Sequence, residues 1–269
     1  MTWRSQRSWA ESILAEAGIE SPHADARWLA EHVAGQSLLL APEPTPEQIE
    51  SFRELVERRA RRIPLQHLTG VMHFRNLELP ADPGVFIVRP ETELVAGAAV
   101  DAARRAGPSP LVVDLCTGSG AIAIAIADEV PGARVVAVEL DDTAFAAATR
   151  NAQPYGVEVH QGDARTALSE LEGMVDVVVS NPPYVPRRQL PAEVGLDPAV
   201  ALWGGGDDGL EIPRALVVRA RQLLKPRGVL IMEHDDTQGE ALVVCAQEVG
   251  MSGRTELDLA GRPRFLYAV

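Results

Sequence analysis

The run Asp176-Val177-Val178-Val179-Ser180-Asn181-Pro182-Pro183-Tyr184 carries an apolar strand into an asparagine and two prolines, where glycine or a helix cap is the usual ending. Proline has no backbone N–H, so this segment is rich in acceptors: the Asn181 side-chain oxygen and the Pro182 carbonyl, with the flat Tyr184 ring beside them. Two fixed acceptors suit the two hydrogens of an NH2 group. The nitrogen of an amide or aromatic amine is a poor nucleophile because its lone pair is delocalised. Gripping both hydrogens aims that nitrogen at a methyl donor and stabilises the positive charge growing on it during transfer. Tyr184 would stack on the planar group and fix its approach. No general base is needed beforehand, since the methylated nitrogen is acidic enough to lose its proton afterwards. The alternative is a rigid proline turn that merely ends a strand, and a second motif upstream separates the two.

That motif is Val112-Val113-Asp114-Leu115-Cys116-Thr117-Gly118-Ser119-Gly120-Ala121-Ile122, an apolar strand running through a small-residue loop into a helix. In a doubly wound sheet such a turn lies at the carboxyl edge, where ligands bind. Gly118 and Gly120 let the backbone approach a ligand where a Cβ would obstruct it. A dinucleotide loop would need further glycines where Cys116 and Ala121 stand. Asp114, just before the loop, can hold a cationic amino-acid moiety instead of a pyrophosphate. Val135-Val136-Ala137-Val138-Glu139 ends a second strand in an acid, 25 residues after Asp114. A carboxylate there accepts ribose hydroxyls, a feature that NAD and S-adenosylmethionine share. Glu139 therefore speaks for a nucleoside without saying which. In Gly162-Asp163-Ala164, Asp163 either meets the adenine amino group or closes a simple turn.

These side chains converge only if their strands lie side by side. Strands are expected at Leu111–Leu115, Arg134–Leu140, Val157–Gln161, Asp176–Ser180 and Gly228–Glu233, with helices between them, as at Ala121–Glu129 and Asp142–Gln153. Such alternation builds a parallel sheet covered by helices on both faces. Arg254–Leu259 and Arg264–Ala268, split by Gly261-Arg262-Pro263, read as a closing hairpin. Upstream, residues 3–62 read as helices: apolar residues recur at helical spacing in Trp9, Ile13, Leu14 and Ala17 and again in Ala26, Leu29, Ala30 and Val33. Thr45-Pro46 starts a third helix along Ile49, Phe52, Leu55 and Val56. Short extended pieces broken by Gly70, Pro80, Pro83 and Gly84 follow, and Arg89-Pro90-Glu91-Thr92-Glu93 opens another helix with early acids. The expected division is a helical domain over residues 1–75 and an α/β domain over 76–269, with 76–88 as a hairpin linker.

The chain has 269 residues and a net charge of −13. Nine arginines against ten acids leave residues 1–75 at −1, so −12 falls on residues 76–269. A catalytic domain this acidic repels phosphate backbones, which argues against a nucleic-acid partner. The dense basic group Arg53, Arg58, Arg59, Arg61 and Arg62 is expected to be a solvated helix face. No apolar run is long enough to cross a bilayer. Met1 to Gly18 is interrupted by Arg4, Arg7, Glu11 and Glu16, unlike a secretory signal. Cys116 and Cys245 give no disulfide framework, as expected of a cytoplasmic chain.

Together the motifs resemble the HemK family, the peptide chain release factor glutamine methyltransferases. The similarity rests on Pro64-Leu65-Gln66-His67-Leu68-Thr69-Gly70, Val88-Arg89-Pro90-Glu91-Thr92-Glu93, the Asp114–Gly120 loop, Asn181-Pro182-Pro183-Tyr184, Ala201-Leu202-Trp203-Gly204-Gly205-Gly206-Asp207-Asp208-Gly209-Leu210 and Asp258-Leu259-Ala260-Gly261-Arg262. Asn-Pro-Pro-Tyr is shared with DNA adenine and ribosomal RNA guanine methyltransferases; the Arg-Pro-Glu-Thr-Glu and Gly-Gly-x-Asp-Gly-Leu elements are far more specific to this family. The resemblance implies a Rossmann-like class I methyltransferase fold with a mostly parallel seven-stranded sheet and a small N-terminal helical domain. It implies methyl transfer from S-adenosylmethionine, which leaves as S-adenosylhomocysteine, to the glutamine of a Gly-Gly-Gln motif in release factors. Carried over, Asp114, Cys116, Thr117, Gly118, Ser119, Gly120, Glu139, Asp163, Ala164 and Asn181 line the cofactor. Asn181, Pro182, Pro183 and Tyr184 grip the glutamine, and the helical domain docks the release factor.

Three positions depart from the family pattern. Glu139 stands where Asp is common, Ala164 where a bulkier residue covers the adenine, and Glu233-His234-Asp235-Asp236 where Glu-Ile-Gly is commoner. The last is expected to be a polar rim of the site mouth and not a metal site, because adjacent strand residues point opposite ways. Rival readings are a methyltransferase acting on an exocyclic amine of adenine or guanine, a nicotinamide-dependent dehydrogenase, and a non-enzymatic scaffold.

Overall fold

A computed structural model of the chain describes residues 1–187 and 197–269. They fall into two compact units, residues 1–72 with 81–83 and residues 73–80 with 84–187 and 197–269.

The first unit is helical: α1 (Trp3–Glu16), α2 (Pro22–Ala34), α3 (Pro46–Ala60) and the short α4 (Leu65–Thr69). Thr45 starts α3 as expected, accepting from the Gln48 N–H while the Gln48 side chain accepts from the Thr45 N–H, a capping box that satisfies donors a helix start leaves orphaned. The apolar stripes meet in one core containing Trp3, Leu14, Leu29, Phe52 and Val56.

The basic group in and after α3 departs only in part from the expected solvated face: Arg53 and Arg61 are exposed, Arg58 and Arg62 are half-buried. Arg59 is buried, its Nε donating to Asp25 on α2 at 2.6 Å. Arg62 reaches the Ala17 carbonyl at 2.8 Å, and Arg53 lies 5.2 Å over the Trp9 ring. Their partners stand 34 to 45 residues away in sequence or across the bundle, so spacing along α3 alone could not reveal them. Arg59→Ala is expected to leave a buried, uncompensated Asp25 and to destabilise this unit by about 3–5 kcal/mol. Urea unfolding followed by the tryptophan signal reads the loss.

A hairpin of β1 (Val71–Phe74) and β2 (Leu77–Pro80) occupies part of the stretch expected to be a linker, and α5 (Thr92–Ala106) follows. The rest of the second unit alternates as expected through β3 (Leu111–Leu115), α6 (Ala121–Glu129), β4 (Arg134–Glu139), α7 (Asp142–Ala152), β5 (Glu158–Gln161) and β6 (Val175–Ser180). Then come α8 (Ala199–Leu202), α9 (Glu211–Leu223), β7 (Leu224–Glu233), α10 (Gly239–Glu248), β8 (Gly253–Leu257) and β9 (Pro263–Ala268). Strand order is β5-β4-β3-β6-β7-β9-β8, parallel except for β9, which pairs antiparallel with β7 and β8.

The central strands are valine-rich without alternation because both faces are covered; Val112, Val113, Val177, Val178 and Val179 are all fully buried. From β3 the chain winds outward through β4 and β5, then returns to lay β6 on the other side of β3. That reversal is a topological switch point, the place where open α/β sheets bind ligands.

Candidate active site

Sheet register decides which side chains meet. Leu115 stands opposite Val138 on one side and Ser180 on the other, Glu139 opposite Gln161, and Ser180 opposite Met232. The ends of β5, β4, β3, β6 and β7 are therefore nearly level. The loop after β3, Glu139, Asp163, Asn181 and Glu233 all belong to one carboxyl edge. Ser180 ties the switch point together, its hydroxyl donating to the Leu115 carbonyl at 2.6 Å.

The loop after β3 is held open by its backbone. Cys116 takes φ +63°, Gly118 +60° and Gly120 +87°, and the Thr117 N–H donates to the Val138 carbonyl at 3.0 Å. A Cβ built on Gly118 would meet no protein atom within 4 Å, so the space before it is free. Asp114 is fully buried and accepts from the Thr117 hydroxyl at 2.6 Å. Burial, opposed by that hydrogen bond, pushes its carboxyl up to about 7. Burial also raises the Cys116 thiol, with Glu139, Asp114 and Asp163 as further causes. A thiol so held stays protonated. The Ser119 hydroxyl is buried without a hydrogen-bond partner.

Glu139 uses the extra methylene that separates it from aspartate. Its carboxylate folds back to accept from the Gly118 N–H at 2.7 Å, the Leu140 N–H at 2.8 Å and the Asp141 N–H at 2.9 Å. Burial raises its pKa against these three donors. Asp163 begins a turn and pairs with Arg165 at 2.6 Å, which holds its carboxyl low; this is the turn geometry left open by the sequence. Ala164 is buried in the sheet core. The acids around the loop suit a cationic amino acid and a ribose and would repel a pyrophosphate. The residues present thus fit S-adenosylmethionine better than a dinucleotide.

At the β6 end, Asn181 donates from Nδ2 to the Thr92 hydroxyl at 3.3 Å, which leaves Oδ1 as the free acceptor. Tyr184 is anchored at both ends. Its hydroxyl donates to Glu233 Oε1 at 2.9 Å, and its carbonyl accepts from Gln238 Nε2 at 2.7 Å. Burial and the Glu233 charge raise the Tyr184 pKa well above its usual value.

The glycine-rich loop before α9 has no room for side chains. A Cβ on Gly204 would be driven into the Gly209 carbonyl and lie 2.8 Å from Tyr184 Cα; one on Gly209 would strike the Tyr184 carbonyl and lie 2.8 Å from the Pro186 nitrogen. The Val185 N–H donates to the Leu202 carbonyl at 2.8 Å, and Gln238 Nε2 also donates to the Asp208 carbonyl at 2.8 Å. The loop is the backing against which the chain from Tyr184 to Pro186 is pressed.

The expected polar rim at Glu233-His234-Asp235-Asp236 is overturned. Glu233, His234 and Asp235 are buried and only Asp236 is exposed. Glu233 is 1% exposed and burial lifts its carboxyl to about 6; burial likewise lowers the His234 pKa. The strand end runs under the proline turn and Gln238 folds back over it, so these polar groups face protein. Among the described residues no His, Cys, Asp and Glu are grouped as a metal ion would need. Thr92 and Glu233, the hydrogen-bond partners of Asn181 and Tyr184, are what spacing missed. Glu233 carried the same signal as Glu139, an acid closing an apolar strand, and Thr92 lay inside a motif quoted without a role.

Two family models match the chain: a PrmC N-terminal domain over residues 6–70 and a methyltransferase small domain over residues 78–196. The chain is 44% identical to a release factor glutamine methyltransferase of Bifidobacterium longum, covering 97% of each. It is 41% identical to a 4-amino-L-phenylalanine/4-methylamino-L-phenylalanine methyltransferase of Streptomyces pristinaespiralis, covering 85% of this chain and 82% of that one. A crystal structure of a release factor-specific protein-(glutamine-N5) methyltransferase from Alicyclobacillus acidocaldarius matches with TM-score 0.45 and 26% identity, covering 68% of this chain and 93% of that one. No helix of the described residues is long and apolar enough to cross a membrane.

Proposed function

We propose, from the premise that the chain belongs to the release factor glutamine methyltransferase family, that it methylates the side-chain amide nitrogen of the glutamine in the Gly-Gly-Gln motif of release factors. S-adenosylmethionine is the methyl donor; its sulfonium supplies an electrophilic methyl group and it leaves as S-adenosylhomocysteine. The observation that carries the substrate reading is the polarity of Asn181: its NH2 is spent on Thr92, so what it offers a substrate is an oxygen.

Cys116 to Gly120, with Asp114 and Glu139 behind them, hold the cofactor's amino-acid and ribose ends. A cationic ammonium brought to Asp114 lowers the carboxyl that burial has raised. The Glu139 carboxylate has at least one lone-pair position left after its three N–H partners and takes a ribose hydroxyl there. Asn181 Oδ1 and the Pro182 carbonyl accept the two amide hydrogens, Pro183 keeps the turn rigid, and the anchored Tyr184 ring lies on the amide plane. The nitrogen then gains its methyl from the sulfonium and loses one proton to water, so charge balances without a base on the enzyme. The helical N-terminal unit is the part that docks the release factor, and no nucleic acid is contacted directly.

The relative acting on 4-amino-L-phenylalanine shows that an aromatic amine fits a related site. Labelled S-adenosylmethionine is therefore offered separately to a full-length release factor, to 4-amino-L-phenylalanine and to duplex DNA. Label in the release factor, placed by mass spectrometry on the Gly-Gly-Gln glutamine, is the expected result. Label confined to the amine or to DNA overturns the reading.

Gly118→Ala tests the cofactor placement. Its Cβ meets nothing of the protein, so the cost in folding is left-handed strain of about 1 kcal/mol. The dissociation constant for S-adenosylmethionine should rise by about tenfold or more, because the methyl enters space assigned to the ligand. Calorimetric titration reads it, with a thermal melt as control.

A further inference from the structure

The turn between β7 and α10 sends one buried side chain to the back of the acceptor turn. Gln238, the residue before α10, is 2% exposed. Its Nε2 donates one hydrogen to the Tyr184 carbonyl at 2.7 Å and the other to the Asp208 carbonyl at 2.8 Å, while its Oε1 accepts from the Asp235 N–H at 3.0 Å. These partners stand 54, 30 and 3 residues away in sequence. The turn fixes the stem of the side chain as well. The Gln238 N–H donates to the Asp235 carbonyl at 2.9 Å, and Asp235 Oδ1 accepts from the Thr237 N–H at 3.2 Å and the Thr237 hydroxyl at 2.7 Å.

The Tyr184 and Asp208 carbonyls belong to two different loops and carry the same partial charge. The loops approach so closely that a Cβ on Gly209 would strike the Tyr184 carbonyl. Among the described residues Gln238 is the one donor to either oxygen. An NH2 between them turns a repulsion into two hydrogen bonds. A primary amide is the side-chain group with two donors on one nitrogen and an acceptor beside it in the same plane. Asparagine is a methylene too short for this reach, ionised glutamate has no donor, and lysine has no acceptor for the Asp235 N–H.

We infer that Gln238 is a positioning residue for methyl transfer: by joining the Tyr184 carbonyl to the Asp208 carbonyl it fixes the main chain that carries the Pro182 acceptor and the Tyr184 ring. The inference rests on the proposed role of Asn181–Tyr184. Both amide hydrogens are spent on protein, so Gln238 acts on the reaction through Tyr184. Pro183 lies between the anchored carbonyl and the Pro182 carbonyl, and its ring fixes φ. A shift at Tyr184 therefore moves the acceptor with it. The cofactor loop after β3 has no part in these contacts.

The test compares wild type, Gln238→Glu, Gln238→Met and Leu242→Ala on a full-length release factor at pH 8, reading kcat, KM for S-adenosylmethionine and melting temperature. Glutamate keeps the size and shape of glutamine but, ionised, sets acceptors against two carbonyls. Methionine keeps the length without a polar group. Leu242, fully buried one turn further along α10, controls for stability, since its truncation opens a core cavity and leaves the three hydrogen bonds in place. At a temperature well below every melt, Gln238→Met should lose about 10²-fold in kcat, the scale of an ångström of misplacement. Gln238→Glu should lose at least as much, and KM for the cofactor should be unchanged in both. Leu242→Ala should melt lower and keep its kcat. A Gln238→Glu enzyme with wild-type kcat overturns the inference, because shape alone would then suffice. So does a Gln238→Met enzyme whose kcat matches that of Leu242→Ala, or whose KM for the cofactor rises as kcat falls. If Gln238→Glu does not fold, the comparison of Gln238→Met with Leu242→Ala decides. A wild type that leaves the release factor unmethylated overturns the substrate reading, and the inference with it.

Discussion

Asn181→Ala is expected to lower kcat on the release factor by about 10²–10³-fold, or about 2.7–4 kcal/mol, the cost of removing one preorganised polar group from a site of developing charge. The dissociation constant for S-adenosylmethionine should barely move, because the cofactor's holders are the loop after β3 and Glu139. The asymmetry follows from when the contact matters. In the ground state the substrate amide carries little charge and water competes for its hydrogens; in the transition state the nitrogen becomes cationic and each acceptor gains strength. Single-turnover kinetics with saturating cofactor separate the two quantities. Equal losses in kcat and cofactor affinity would mean that Asn181 only shapes the pocket.

Gly204→Ala is expected to be the most damaging substitution without a chemical role. The nearest neighbours of its Cβ are backbone, the Gly209 carbonyl and Tyr184 Cα at 2.8 Å, and backbone cannot swing aside as a flexible side chain can. Either the loop before α9 or the proline turn must shift. Overpacking of this kind typically costs about 1–3 kcal/mol and occasionally more, so the melting temperature should drop. An ångström of displacement at Tyr184 also misplaces the amide plane and should cost about 10²-fold in kcat. Gly35→Ala is the control, because its left-handed φ of +67° carries strain while its Cβ meets nothing within 4 Å. It should lose some stability and little turnover.

The sheet was legible because its signal is local. Valine runs buried on both faces announce parallel strands, and the expected limits of β3 and α6 coincide with those observed. The acceptor turn was legible because proline removes donors wherever it stands. What lay hidden depends on register. Asn181 meets Thr92, and Tyr184 meets Glu233, only because β6 and β7 pair Ser180 with Met232 and α5 begins beside them. The same holds for Arg59 and Arg62, which looked like a charged surface until Asp25 and the Ala17 carbonyl were placed against them. The buried Glu233-His234-Asp235 segment read as a rim for the converse reason: charged residues are seldom buried unless partnered, and Tyr184, the partner of Glu233, stands 49 residues away in sequence.

The reading of the glycine loop changed most. From the sequence, Gly204, Gly205, Gly206 and Gly209 were a family signature without a physical reason. The close approach of Gly204 and Gly209 to the Tyr184 backbone supplies one. Their want of side chains lets the loop brace the turn that presents the acceptors.

The account stands on two oxygens, Asn181 Oδ1 and the Pro182 carbonyl, lying beside the methyl donor with an NH2 between them. A crystal structure of the enzyme with S-adenosylhomocysteine and a Gly-Gly-Gln peptide measures this directly. The account predicts both oxygens within about 2.7–3.2 Å of the glutamine amide nitrogen, on the side facing the cofactor sulfur. An Asn181 amide turned with its NH2 to the peptide, or acceptors pointing away from the sulfur, would contradict it.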